Sequence, residues 1–154
     1  MNWSWCNTLV LIIPFVADRV SKWWALTNLD YTSMDIGPNL RFELMFNRGI
    51  SWGMFNSSST LVFALVNLAI ISAIIFLIWM TYVFMQKGKS ITGLLLILSG
   101  ALSNVLDRVV YHGVIDFIVV HYNNWYWPTF NIADVAIEFG AVWLIIQGLY
   151  TSWD

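Results

Sequence analysis

Apolar runs set the organisation of this chain. From Leu61 to Met85 there are 25 residues without a single charge, more than the roughly 20 that a helix needs to cross a bilayer. A second run goes from Ile91 to about Val110 and turns polar in its last turns, at Asn104, Asp107 and Arg108; its first half is expected to face lipid. A third begins near Asn131 and continues to Tyr150. A fourth, from Trp5 to Leu26, is interrupted by Asp18, Arg19 and Lys22. The pattern predicts four transmembrane helices over 5–26, 61–85, 91–110 and 131–150, with outer segments at 27–60 and 111–130. The N-terminal run is not a secretory signal, because no Lys or Arg precedes it and no small-x-small cleavage site follows it. It reads as a retained helix on which Asp18 and Lys22, at i and i+4, share a face where an acid preceding a base pairs favourably.

The outer segments carry a different periodicity. Leu40-Arg41-Phe42-Glu43-Leu44-Met45-Phe46-Asn47 alternates as a short strand with one apolar face does, and Asn47-Arg48-Gly49 and Trp52-Gly53 supply turn chemistry. A small extracytoplasmic β-sheet on the membrane surface is expected. Val119 to Trp127 gathers Tyr122, Trp125, Tyr126 and Trp127, which suits a surface-lying aromatic segment at the headgroups. Anchoring and substrate contact are both open for these rings. Four spans place both termini on one side, with the link Gln86 to Ser90. Its Lys87 and Lys89 assign that side to the cytoplasm. Arg19, Lys22, Arg41, Arg48 and Arg108 then fall toward the outer face, against the rule, each with acidic or polar neighbours.

Composition agrees with a membrane protein. Of 154 residues, 59% are hydrophobic and 10% charged, against about 25% charged in soluble domains, so residues 1–154 read as a single integral membrane domain. A net charge of −2 without a Lys/Arg cluster excludes a nucleic-acid partner. Cys6 is the one cysteine, which rules out an intramolecular disulfide or a cysteine-based metal cluster, and reads as an apolar filler near the first helix. His112 and His121 have no Glu or Cys at ligand spacing. Both read as loop histidines, and no metal or other cofactor is expected.

The candidate chemistry lies at helix ends. Helical spacing lets Asn104 meet Asp107 and Arg108 at i+3 and i+4. Asp116 returns to the same outer edge between apolar neighbours, and Asn131 and Asp134 open the last span with Glu138 one turn deeper. Two carboxyls close together in a low-dielectric site share a proton near neutral pH. One can then take a proton from an attacking water while its protonated partner hydrogen-bonds the carbonyl oxygen under attack. Other readings stand beside this one. Asn131 with Asp134 matches a helix cap with an acid at the third position. Asp107 with Arg108, Asp18 with Lys22 and Asp116 with an arginine fit structural ion pairs, and intramembrane carboxylates also suit a non-enzymatic carrier.

Five segments carry a resemblance. Asp18-Arg19-Val20-Ser21-Lys22, Asn47-Arg48-Gly49-Ile50-Ser51-Trp52-Gly53, Ser99-Gly100-Ala101-Leu102-Ser103-Asn104-Val105-Leu106-Asp107-Arg108, Val114-Ile115-Asp116-Phe117 and Phe130-Asn131-Ile132-Ala133-Asp134 occur in order at the ends of the predicted spans. Together they resemble the boxes of the bacterial lipoprotein signal peptidases, or signal peptidase II, aspartic peptidase family A8. Ser51 stands where that family usually has alanine, and Ser103 where glycine precedes the asparagine; both are small-for-small departures that touch local packing.

The resemblance implies a membrane aspartic endopeptidase that cuts prolipoproteins on the amino side of a diacylglyceryl-modified cysteine. It implies Asp116 and Asp134 as the catalytic pair, with Asn104, Arg108 and Asn131 in support and Asp18, Lys22, Asn47 and Gly49 shaping the site or substrate cleft. The partners implied are lipidated precursors and membrane lipids. The chain is expected to act as a monomer in the bacterial cytoplasmic membrane, its site near the outer face. On this reading the Arg41 to Phe46 strand is expected to clamp the peptide by edge pairing.

Overall fold

The structure is a computed structural model that describes residues 3–29, 32–49, 57 and 59–151. Its elements run α1 (Trp5–Asn28), β1 (Ser33–Gly37), β2 (Leu40–Asn47), α2 (Thr60–Gln86), α3 (Thr92–Tyr111), β3 (Val114–Tyr122), β4 (Trp125–Tyr126) and α4 (Ile132–Thr151). Every run of hydropathy has thus become a helix within a residue or two of its expected bounds. Three helices, α2, α3 and α4, are long and apolar enough to cross a membrane. The 24-residue α1 is also long, but holds Asp18, Arg19 and Lys22 in its second half.

α1 and α2 begin at serines. Ser4 Oγ accepts from the Asn7 backbone N–H at 3.4 Å and Ser59 Oγ from that of Val62 at 3.5 Å, which satisfies donors that a helix start leaves orphaned. Polar side chains within the apolar α2 turn back onto their own helix: Asn67, Ser72 and Thr81 donate to carbonyls four residues earlier. That satisfies these three within their own helix, and the surface of α2 is mostly exposed.

α3 is the central helix and packs on each of the other three. The expectation that its first half faces lipid is overturned, since Gly93, Leu94, Leu95, Leu98, Ser99 and Gly100 are buried. The reason is the absence of side chains at its glycines. A Cβ on Gly93 would lie 2.8 Å from the Gly140 carbonyl oxygen, and one on Gly100 would lie 2.3 Å from that of Ala133. α3 and α4 therefore touch backbone to backbone, the contact through small residues that membrane helices favour. On the other side of α3, Ser99 Oγ donates to the Leu11 carbonyl of α1 at 2.7 Å.

The four strands form one antiparallel sheet in the order β1-β2-β3-β4. The expected sheet drew only on the first outer segment; β3 joins it, and because Val114 to Phe117 is buried on both faces this stretch lacks the alternation that marks a half-exposed strand. β2 is consequently an inner strand, paired to β1 by Ser33↔Glu43 through Gly37↔Leu40 and to β3 by Leu40↔Val120 through Asn47↔Val114. Edge pairing of a peptide to Arg41 and Phe42 is ruled out, because both are paired to β1 on one side and to β3 on the other; Met45 and Phe46 are paired to β3 alone. The sheet is held to α1 by Trp24, Phe42 and Phe117, whose rings pack edge to face with centroids 5.5 to 6.5 Å apart above buried Ala25 and Leu29.

Two smaller expectations also change. His121 lies in β3, stacked on Tyr126 at 5.3 Å, while His112 caps α3 at a positive φ of 56°. Cys6 is exposed on the first turn of α1 rather than filling a gap. The turn expected at Trp52-Gly53 and the departure at Ser51 lie outside the described residues.

Candidate active site

The sheet and the helix ends bring polar groups to one level. The register aligns Asn47 with Val114 and Met45 with Asp116, so Asn47 and Asp116 are diagonal neighbours on one face of the sheet. Asn47 Nδ2 donates to Asp116 Oδ2 at 3.1 Å, and Asn47 Oδ1 accepts from the Gly49 backbone N–H at 2.9 Å. Arg108, at the end of α3, closes this corner by donating to the Gly49 carbonyl. Gly49 thus bears on the site through its backbone.

Asn131 joins the two carboxyls. Its Nδ2 donates to Asp116 Oδ1 at 2.6 Å, its Oδ1 accepts from the Asp134 backbone N–H at 2.9 Å, and its own N–H donates to Asp134 Oδ2 at 3.3 Å. The last two are a reciprocal helix cap. The capping interpretation of Asn131 and Asp134 therefore holds, and it coexists with a site because the remaining Asp134 oxygen, Oδ1, accepts from Asn104 Nδ2 at 2.9 Å.

Behind the carboxyls lies a buried charge network between α1 and α3. Lys22 is fully buried and donates to Asn104 Oδ1 at 2.7 Å while contacting Asp18 Oδ2 at 2.7 Å and Asp107 Oδ2 at 2.8 Å. An ammonium has only donors, so it forces Asn104 to turn its oxygen inward and its Nδ2 toward Asp134. Asp18 also accepts from Ser103 Oγ at 2.7 Å and from the Ala133 backbone N–H at 2.8 Å, placing a negative charge at the N-terminus of α4 where the helix dipole favours it.

Asp107 takes Arg19 at 2.6 Å on its other oxygen and accepts from the Ile115 backbone N–H at 3.3 Å. Each buried charge here is paired and hydrogen-bonded, the condition for tolerating it.

Asp107, named with the polar end of its span, and Ser103 and Arg19 are not among the site residues that the resemblance implies. A charge count on α1 carried the signal: Asp18 alone cannot match both Arg19 and Lys22, and Asp107 is the acid that completes the set. The expected contacts of Asn104 with Asp107 and Arg108 are replaced by partners on α1 and α4, because the tertiary partners present stronger donors and acceptors than its own helix does. Likewise Asp107 pairs with α1, not with adjacent Arg108.

Asn47, Asn104, Arg108, Asp116 and Asp134 line one open cleft of about 160 Å³, together with Ile70, Ala101, Val114, Ile137, Glu138 and the segment Trp127 to Phe130. Asp116 is 2% exposed. Burial pushes its carboxyl up to about 7 and the nearby Asp134 charge adds to this, while the Asn47 and Asn131 amides and the Lys22 ammonium pull the other way. Arg108 is buried in the wall with Nε lacking a hydrogen-bond partner among the described residues. Asp18, Lys22, Gly49 and Asn131 stand around the cleft without lining it. No group of three or more His, Cys, Asp or Glu among the described residues has a metal-binding arrangement.

The chain is similar to known proteins. A family model described as signal peptidase (SPase) II matches residues 10–150. The lipoprotein signal peptidase of Polynucleobacter necessarius is 43% identical over 90% of this chain and 85% of its own length, and that of Clostridium novyi is 38% identical over 91% and 95%. Two solved structures described as bacterial membrane enzymes superpose with TM-scores of 0.77 and 0.72, at 24% and 28% identity, covering 96% and 94% of this chain and 89% and 92% of theirs. The first of these speaks for the fold alone.

Proposed function

The chain belongs to the signal peptidase II family of lipoprotein signal peptidases, and from that premise we propose that it removes signal peptides from prolipoproteins as an aspartic endopeptidase with Asp116 and Asp134 as its catalytic pair. The observation that carries this reading is the double attachment of Asn131, which ties a nearly buried carboxyl on β3 to a second one at the start of α4 within one cleft. With Asp116 raised to about 7, the pair carries one shared proton at neutral pH. The ionised member draws a proton from water as the water oxygen attacks the scissile carbonyl. The protonated member donates to the carbonyl oxygen and stabilises the developing oxyanion. Collapse of the tetrahedral intermediate returns a proton to the leaving amine.

The substrate is a precursor cut on the amino side of a cysteine bearing a diacylglyceryl group. Its acyl chains remain in the bilayer, which explains carboxyls placed at the edge of an apolar bundle. Asn104 and Asn131 orient the pair, Asp18 and Lys22 brace them, and Arg108 and Asn47 meet the peptide. α1 is the fourth span of a single membrane domain in the cytoplasmic membrane of a bacterium. Lys87 and Lys89 lie at the opposite end of the helices from the site, which supports a cytoplasmic position for them and for both termini. Exposed Tyr122, Trp125 and Tyr126 rest at the outer headgroups. One chain supplies both acids, so a monomer suffices.

The test is cleavage of one precursor in lipidated and unlipidated forms by purified protein and by its Asp116→Asn and Asp134→Asn variants. Wild type is expected to cut only the lipidated form, and each variant to lose on the order of 10²- to 10⁴-fold in rate while remaining folded. Near-normal turnover by either variant overturns the reading.

A further inference from the structure

Glu138 is a carboxyl that the proposed mechanism leaves unused. It stands on α4 one turn inward of Asp134, about 6 Å along the axis at 1.5 Å per residue, inside the apolar span Ile132–Leu149. It lies outside every sequence box quoted above. It is exposed, and it makes no hydrogen bond or ion pair with any described residue. It lines the cleft together with the apolar Ile70 of α2, Ala101 of α3 and Ile137. An ionisable side chain at such a depth is costly and marks a functional contact. No described residue of the cleft bonds it, which leaves it open to a group that enters the cleft.

The charge balance of the cleft says what that partner carries. Among the described residues that line the cleft, three carboxyls, Asp116, Asp134 and Glu138, accompany one cation, Arg108, with the Lys22 ammonium buried behind them. A carboxylate entering here meets like charge, whereas a hydrogen-bond donor or a cation is matched. We propose that Glu138 is a specificity-determining residue that accepts a hydrogen bond from a donor-bearing side chain, a hydroxyl, amide or ammonium, in the signal segment of the precursor close to the scissile bond. The inference rests on the peptidase reading above. It adds that the cleft ranks precursors by one polar contact set among aliphatic walls.

The test uses the purified full chain in lipid nanodiscs and lipidated precursors that differ at one residue, Leu, Ser, Lys or Glu, placed in turn at each of the four positions preceding the modified cysteine. At one position wild type is expected to favour Ser over Leu by on the order of tenfold in kcat/KM, the weight of one hydrogen bond to a charged group, and to cut the Glu precursor most slowly. Glu138→Leu should erase the Ser advantage at that position, and Glu138→Gln should relieve the discrimination against Glu. An unchanged Ser-to-Leu ratio in Glu138→Leu, or no preference in wild type at any position, overturns the proposal. Should the Leu variant fail to fold, the Gln variant decides: undiminished discrimination against Glu overturns the proposal equally. Failure of wild type to cut every lipidated precursor removes the peptidase reading and this inference with it.

Discussion

Asn131 Nδ2 reaches Asp116 Oδ1 at 2.6 Å, tying the residue that opens α4 to the third residue of β3. The same side chain caps α4 through its oxygen, so its two ends do separable work. Asn131→Ala removes both and should cost about 1 kcal/mol of stability through the lost cap, along with a tenfold or larger fall in kcat, about what one hydrogen bond to a carboxylate contributes. Asn131→Ser keeps a capping oxygen but has no Nδ2. It should recover the thermal midpoint in detergent while cleavage stays slow; recovery of both would mean that the contact with Asp116 is incidental.

Activity should also follow the Asp116 proton. Because its carboxyl is raised from an ordinary 3.8 to about 7, the folded state binds a proton that the unfolded chain releases between those values. The associated stability is fully present below about 3.8 and is lost as pH rises through about 7. Cleavage should therefore decline above about 7 as the shared proton leaves. In Asp134→Asn the neighbouring charge is gone, so the Asp116 titration followed by its infrared carboxyl band should move to lower pH. In Asn131→Ala it should move to higher pH, since that amide favours the ionised form. A midpoint unmoved in both variants would count against electrostatic contact between the two acids.

The charge network behind the site predicts a contrast between two cations one turn apart. Lys22 is fully buried and holds Asp18 and Asp107 together. Lys22→Met leaves both carboxylates without it and should destabilise by about 3 to 5 kcal/mol, as breaking a buried pair does. Arg19 has a side chain 21% exposed, and Arg19→Met should cost closer to 1 kcal/mol. Chemical unfolding in mixed micelles reads the difference. Equal losses would show that Lys22 is better hydrated than its contacts indicate.

Close helix contact gives the last expectation. A Cβ on Gly100 would sit 2.3 Å from the Ala133 carbonyl oxygen, whereas one on Gly148 meets nothing within 4 Å. Gly100→Ala must part α3 from the N-terminus of α4 and should cost about 1 to 3 kcal/mol or more, with activity falling because Asn131 and Asp134 ride on that helix. Gly148→Ala should be neutral or stabilising by up to about 1 kcal/mol. Thermal melts of the two single variants, with wild type alongside, are sufficient to check the pair.

Periodicity and polarity along the chain determined much of this protein by themselves. Runs such as Leu61 to Met85 read as helices in an apolar solvent, since within a single segment only the helix satisfies its own backbone there. Local spacing also contains the Asp18–Lys22 pair and the Asn131–Asp134 cap, because both close within one turn. The identity of Asp116 and Asp134 as the candidate pair was legible through the family boxes, not from spacing, which left structural ion pairs and a carrier equally open.

Tertiary structure decided what depends on contacts between distant residues. That α3 is central follows from glycines meeting a helix some 40 positions further on, and hydropathy cannot distinguish burial against lipid from burial against a glycine face. β2 became an inner strand when β3 paired with it from across two helices. Asn104 turned from Asp107 and Arg108 to Lys22 and Asp134 for the same reason: hydrogen bonds go to the best-placed donor and acceptor in space. The chain specifies which groups are costly to leave unpaired, and the fold alone selects the partner that satisfies each of them.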